Sequence, residues 1–480
     1  MDVSASHVSL NMGRDVWELN SRTGYTYSTP YFYTGTGLAG VPKFVDCAEQ
    51  ADTFNNDCRQ LKVCVTTNTV TQDIVEAHLP GSATMLTQSH VELFELFANG
   101  TCNVIAGDTV LIFEQRVREV GYIGDYKFAK KLLSHEHLAL LTREDAPDWA
   151  DFCNWVLHAL ITAEALNITQ QSAHTFAKSN MFGPEYENMF IQAIAAVGNY
   201  GELYERHYKG ILPRSRYNMI NTGDTGLIVS DPLGNLDVDE ESLSSKDLPN
   251  PLPNGTIEAV VQRGHLLCGV IPDDDNVDDR HQPAFAFFNT SSQEWSGLDV
   301  DLCRGLAASV SAGKHIDTVF VNLSSRETRY ISLANSTVDV LAGDMVSFTN
   351  DLLEPSSGRG FFFGTPYFYH EREGGNADES SGARALVTRH DDPQWSDLTK
   401  WITHATFYAE EKGITQRNAS MMPIVELFGI SYRQMFRDAI NATGNYGEIY
   451  SRNVESYIPR SGRNLLNVDD TPQFYPIPFL

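Results

Sequence analysis

Two stretches of this chain, Asp151 to Asn218 and Asp397 to Asn464, align without a gap at a constant offset of 246 residues. Sequences matched over that length must fold alike, so the chain is read as a duplication. Each stretch holds Gly-Asn-Tyr-Gly-Glu, at Gly198 to Glu202 and at Gly444 to Glu448, near the end of a long helical pattern. Upstream, Thr29-Pro30-Tyr31-Phe32-Tyr33 matches Thr365-Pro366-Tyr367-Phe368-Tyr369, but there the offset is 336. A block of 90 residues is therefore present in the first copy and absent from the second. Conversely, Ile257 to Thr337 precedes the match in the second copy and has no counterpart in the first. Each copy lacks a different half of one module.

The 480 residues suffice for two or three domains with their own cores, and 42% hydrophobic residues is ordinary globular composition. A net charge of −27 argues against nucleic acid or an anionic membrane as partner, because phosphates would be repelled. No apolar run reaches the roughly 18 residues that span a bilayer. No signal peptide is visible, yet the chain opens inside the repeat, so Met1 is read as an artificial or alternative start. Eight Asn-x-Ser/Thr sequons, at Asn99, Asn167, Asn254, Asn289, Asn322, Asn335, Asn418 and Asn441, fit a secretory route.

Short apolar runs alternate with helical patterns in both copies. Strands are expected at Lys62 to Thr66, Cys102 to Ala106, Leu266 to Ile271, Thr318 to Leu323 and Val338 to Ala342. Helices are expected from Gln72, at His90 to Ala98 with Val91, Phe94 and Phe97 inward, at Val110 to Val117, Val300 to Ser309 and Arg326 to Ala334. Long helices close each copy at Asp151 to Leu166 and Asp397 to Lys412, then Tyr186 to Val197 and Tyr432 to Thr443, with Gly198 and Gly444 as left-handed caps. Strands alternating with helices imply an open, mostly parallel α/β sheet. Asn221 to Gly255, with Asp-Pro, Pro-Asn-Pro and the acidic run Asp237 to Glu241, reads as a linker.

Seven cysteines point to an oxidising compartment. Cys268 lies in a strand-like run and Cys303 opens a helix; Cys64 and Cys102 sit in runs that suit neighbouring strands; Cys47 and Cys58 bracket a polar loop. Cys153 is left over. Buried free thiols are the alternative for each pair.

Three motifs follow a known order: Arg263-Gly264-His265-Leu266-Leu267-Cys268-Gly269-Val270, Trp295-Ser296-Gly297-Leu298-Asp299-Val300-Asp301-Leu302-Cys303-Arg304, and Val338-Asp339-Val340-Leu341. They resemble the first lobe of the general L-amino-acid-binding proteins of bacterial ABC transporters, extracellular solute-binding family 3. Lys62 to Val65 and Cys102 to Asp108 resemble that family's second lobe, and Gly-Asn-Tyr-Gly-Glu its C-terminal helix motif. The resemblance implies an α/β, periplasmic-binding-protein-like type II fold, with two-lobed flytrap modules, duplicated with segments missing. A first module is expected at 1–232, a linker at 233–256 and a second module at 257–480. The two partial lobes are also compatible with one permuted flytrap, in which residues 2–33 and 339–369 compete for one strand position.

An amino acid presents a carboxylate and an ammonium. Arg14, in Met12-Gly13-Arg14-Asp15, occupies the place of the family's carboxylate-binding arginine; a surface loop arginine is the alternative. The second copy has Asn350 there, which lacks the charge. Thr69, in the Thr-rich turn after a strand, suits both helix capping and donation to the ligand. Asn68 stands where the family usually has glycine and tolerates the left-handed conformation. Asp108, at the carboxyl end of a strand, matches the family's ammonium-binding aspartate, with a helix-capping role as the alternative. Phe285 resembles an aromatic that packs near the ligand, and equally suits a core position.

His135-Glu136-His137 is read as a loop rather than a metal site, and Asp273 to Asp279 as a solvated acidic loop without the ligands of an EF-hand. No metal or cofactor is called for. The expected function is a secreted or periplasm-like, non-enzymatic protein binding a free amino acid, with a membrane transporter or receptor as further partner. A ligand-free scaffold on the same fold is the rival. Lyase chemistry, known among relatives of this fold, comes third because no general acid or base stands out.

Overall fold

The computed structural model describes residues 2–5, 10, 12–16, 24–53, 55–79, 83–134, 136–179, 182, 184–209, 214, 218–219, 255–272, 284–323, 326–345, 360–369, 383–461 and 464–465. The expected linker and the acidic loop at Asp273 to Asp279 lie outside these residues, apart from Gly255 and Thr256.

In the first half the elements run α1 (Met12–Asp15), β1 (Tyr25–Tyr27), β2 (Phe32–Thr34), β3 (Thr36–Gly40), α2 (Pro42–Glu49), β4 (Val63–Thr66), α3 (Val70–His78), β5 (Thr84–Thr87), α4 (His90–Ala98), β6 (Val104–Asp108), α5 (Glu114–Glu119), β7 (Lys127–Phe128), β8 (Glu136–Leu138), β9 (Leu141–Arg143), α6 (Pro147–Ala165), α7 (Met189–Val197) and α8 (Tyr200–Tyr208). The second half contains α9 (Thr256–Arg263), β10 (His265–Val270), β11 (Phe287–Asn289), β12 (Glu294–Ser296), α10 (Leu298–Ser309), β13 (Asp317–Asn322), α11 (Arg326–Ala334), β14 (Val340–Met345), β15 (Phe361–Phe363), β16 (Phe368–Tyr369), β17 (Ala383–Arg389), α12 (Pro393–Glu411), α13 (Met435–Thr443) and α14 (Tyr446–Asn453).

Two sheets share one plan. The first has order β5-β4-β6-β3-β7 and the second β13-β10-β14-β17-β15, with β16 also on β17. In each, three parallel strands are continued by an antiparallel one. These are mixed α/β sheets of the expected type II class, parallel in their first three strands only. Covering both faces explains the unbroken apolar runs. Val63, Val65, Val104 and Ala106 pack with Val45 and Val75 on one side, while Cys64 and Ile105 pack with Phe94 and Phe97 on the other.

Residues 25–27 and 32–34 pair with β9 and β8, whereas β14 lies beside β10 and β16 beside β17. The two segments therefore hold separate positions and do not compete for one. Three further expectations are corrected. Val91 is 63% exposed, and Leu93 joins Phe94 and Phe97 inward. Residues 110–113 form a turn on the Asp108 carbonyl, so the helix starts at Glu114. Glu136 and His137 belong to a strand rather than a loop, while His135 lies outside the described residues.

Each residue of Gly-Asn-Tyr-Gly-Glu has a physical task, repeated 246 residues later. Gly198 and Gly444 take φ of 83° and 87° with ψ near 180°, a region closed to side chains but not the left-handed helical cap expected. Asn199 and Asn445 cap the next helix, and Glu202 and Glu448 reach back to the cap N–H. Tyr200 and Tyr446 donate to the carbonyls of Tyr31 and Tyr367 at 2.7 and 2.6 Å. Gly201 and Gly447 leave room for Glu164 and Glu410, which a Cβ would approach within 2.8 and 2.5 Å. Those glutamates bind Arg214 and Arg460 through both oxygens, at 2.5 and 3.0 Å each.

Candidate functional site

All six candidate cysteines are paired: Cys47–Cys58, Cys64–Cys102 and Cys268–Cys303, with Cα separations of 5.7, 5.9 and 6.3 Å. Cys153 remains a thiol. The Cys64–Cys102 bond ties β4 to the residues entering β6, the two strands whose carboxyl ends hold the polar groups of interest.

Those ends lie at one edge of the first sheet. Strands β4 and β6 run parallel with Cys64 opposite Ile105, so Thr66 to Asn68 ends beside Asp108. Asn68 sits at φ 58°, the left-handed conformation expected of it. Thr69 donates to the Thr66 carbonyl at 2.7 Å and accepts from Gln72 N–H at 3.3 Å, so its hydroxyl caps α3. The N–H groups of Val70 and Thr71, in the first turn of α3, come before any intrahelical acceptor.

Asp108 accepts from the Thr34 hydroxyl and from Val110 N–H at 3.1 Å. Burial raises its carboxyl to about 6; the Thr34 and Val110 hydrogen bonds oppose the shift, and the charge of Glu136 adds to it. Glu136 is itself buried and accepts from Thr36 and Ser134 at 3.1 and 3.0 Å. Two neighbouring carboxyl groups held by hydroxyls give a negative potential suited to an ammonium group. Glu136 was not singled out in the sequence, where it reads only as part of His-Glu-His.

The other candidates fall elsewhere. Phe285 is buried in the second half, edge-on to Phe368 at 4.7 Å and 3.9 Å below the Arg384 guanidinium, which pairs with Asp299 at 2.8 Å. Its packing is that of a core residue in the second half, away from the sheet that carries Asp108. The backbone of Arg14 belongs to α1, but its side chain lies outside the described residues, as does Asn350. Met12 and Val16 anchor α1 in the core that contains Trp401, and Asp15 is bound by Lys400 at 2.9 Å. Neither Asp15 nor Lys400 was legible as a partner.

A cavity of about 190 Å³ lies between the two halves, lined by Thr29, His158 and Tyr33 and by Thr365, His404 and Tyr369. Each threonine meets its histidine, at 2.9 and 2.7 Å. Burial lowers His158 to about 3, so its ring is neutral at ordinary pH. Among the described residues no group of three or more His, Cys, Asp or Glu is arranged for a metal, and no helix is long and apolar enough to cross a membrane.

No family model matches the chain. Over 145 residues it is 23% identical to YhdW, a putative amino-acid ABC transporter-binding protein of Escherichia coli, covering 26% of this chain and 42% of that protein. It is 33% identical over 86 residues to AapJ, a general L-amino acid-binding periplasmic protein of Rhizobium johnstonii, covering 14% and 25%. It is 32% identical over 84 residues to BztA, a glutamate/glutamine/aspartate/asparagine-binding protein of Rhodobacter capsulatus, covering 14% and 25%. The chain thus spans less than half the length of these relatives. Among solved structures, a periplasmic binding protein of an ABC transporter from Brucella ovis, with glutathione bound, matches with a TM-score of 0.37 and 21% identity, covering 46% of this chain and 73% of that one.

Proposed function

We propose, from segments similar to amino-acid-binding proteins of ABC transporters, that the chain binds a free amino acid at the β4–β6 edge without transforming it. The ammonium group lies against Asp108, with Glu136 adding negative potential behind it. The carboxylate meets the N–H groups opening α3, and Arg14 supplies its counter-charge. The observation that carries this reading is the placement of Asp108 beside the Thr67 to Thr69 turn at the carboxyl ends of neighbouring parallel strands, where open α/β sheets hold ligands.

The proposal extends to a periplasm-like or extracellular setting, supported by three disulfides, to glycosylation at exposed sequons and to delivery of the ligand to a membrane transporter or receptor. In this reading the duplicated modules have at most one ligand site, because Asn350 replaces the arginine in the second. A ligand-free scaffold is favoured by one observation: the Thr69 hydroxyl already donates its single proton to the Thr66 carbonyl.

Calorimetry of the full chain against the twenty amino acids separates the two. Binding at one site, weakened at least about tenfold by Asp108→Asn through loss of a charged hydrogen bond and likewise by Arg14→Ala, supports the proposal. Absence of heat with all twenty leaves the scaffold reading. Release of ammonia or water from a bound ligand, followed by NMR, would instead point to lyase chemistry.

A further inference from the structure

The gapless match allows α7 and α8 to be compared with α13 and α14 residue by residue. In the second half, α10 covers α13 and α14. Gly305 lies against Thr443, whose hydroxyl is 3.2 Å from where a Cβ would stand. Asp301 receives Arg452 at 2.7 and 3.1 Å and Asn453 at 2.7 Å. Ala439, Thr443, Ile449 and Asn453 are buried as a result.

Their counterparts in the first half are uncovered. Ala193, Val197 and Leu203 are only half-buried and His207 is exposed. Arg206 nevertheless holds the pose of Arg452. It donates to the Val197 carbonyl at 3.0 Å, as Arg452 does to the Thr443 carbonyl at 2.8 Å. Arg452 also grips Asp301, whereas Arg206 has no carboxylate among the described residues. This is a surface shaped for an acidic helix start.

We propose that the segment beginning Leu236-Asp237-Val238-Asp239 occupies that face. Those four residues are identical to Leu298-Asp299-Val300-Asp301, the first turn of α10, and Asp239 stands where Asp301 stands. Leu236 and Asp239, three residues apart, share one face of a helical turn. That puts an apolar side chain one turn before the acid, as Leu298 precedes Asp301 in α10. Glu240 and Glu241 follow, adding acidic charge to a segment matched with Arg206. The segment is tethered by the 16 residues between Met219 and Leu236, a reach of up to roughly 60 Å. The acidic linker of the sequence reading thus becomes a stand-in for the missing first-lobe helix.

Hydrogen exchange of the full chain tests this at residues 193–207. Asp239→Lys and Arg206→Glu should each speed exchange there about tenfold, the loss of one charge-assisted contact, and Leu236→Asp should do the same. Combining Arg206→Glu with Asp239→Lys should restore protection, since the charges are exchanged. Protection unchanged by Asp239→Lys and Leu236→Asp overturns the proposal, as does loss in both single charge variants without recovery in the double. Protection that falls on dilution regardless of residue 239 assigns the face to a second molecule instead.

Discussion

Lys400 places its ammonium 2.9 and 3.1 Å from the two carboxylate oxygens of Asp15, a residue 385 positions earlier, and both are buried. Trp401 adds its indole N–H at 2.7 Å. Asp397 and Glu144 line the same small recess. One ammonium therefore faces three carboxyl groups where the two halves meet, and burial together with Asp15 and Glu144 raises the Asp397 carboxyl well above the usual range.

Breaking this pair should cost more than a surface ion pair. Lys400→Met leaves Asp15 buried beside two other acids, and about 3–5 kcal/mol of stability should be lost. Replacing both partners, Lys400→Met with Asp15→Leu, should cost less than Lys400→Met alone. Urea unfolding at pH 7, followed by tryptophan fluorescence, measures both. A loss under about 1 kcal/mol for Lys400→Met would show that the charges are solvated after all.

Glu144 makes the junction pH-dependent. Burial raises its carboxyl from 4.5 to about 7; the Gly24 N–H opposes this, Asp15 and Asp145 add to it, and Lys400 opposes it. Between those values the folded chain keeps a proton that the unfolded chain has released. The stability this contributes is complete below about pH 4.5 and is lost as pH rises through 7. Glu144→Gln should remove that slope, gaining roughly 1–3 kcal/mol over the parent at pH 8 relative to pH 5. Denaturation midpoints across that range decide the matter, and parallel curves would exclude Glu144 as the source.

The Cys64–Cys102 bond closes a span of 38 residues. Chain-entropy reasoning assigns such a loop about 4 kcal/mol, so replacing both cysteines by alanine should lower the unfolding temperature in the absence of reductant. Dithiothreitol should then shift the variant less than the parent.

Gly447→Ala should push the Glu410 carboxylate away from Arg460, whose guanidinium also lies 4.8 Å from the Tyr446 ring centre. A loss of about 1–3 kcal/mol is expected, seen as a lower thermal midpoint. Gly447 lies inside α14 at ordinary helical φ, where alanine would otherwise favour the helix, so an unchanged or raised midpoint would remove the steric argument.

What could be read from the chain alone was governed by neighbours in sequence. The helix His90–Ala98 was placed to the residue because its start and apolar spacing are local. Asn68 was legible because its conformation depends on one turn. The long helices and the runs that became β4, β6, β10 and β13 were legible for the same reason: their hydrogen bonds close within a few residues or join similar neighbours. Tertiary structure alone decided which surfaces meet. It turned Val91 outward, put Phe285 in a core, and set Glu136 beside Asp108. It also buried Lys400 against Asp15, a contact with no local signature. Burial of a charge is stable only when a partner arrives from elsewhere in the chain, and that arrival is a property of packing rather than of either sequence neighbourhood.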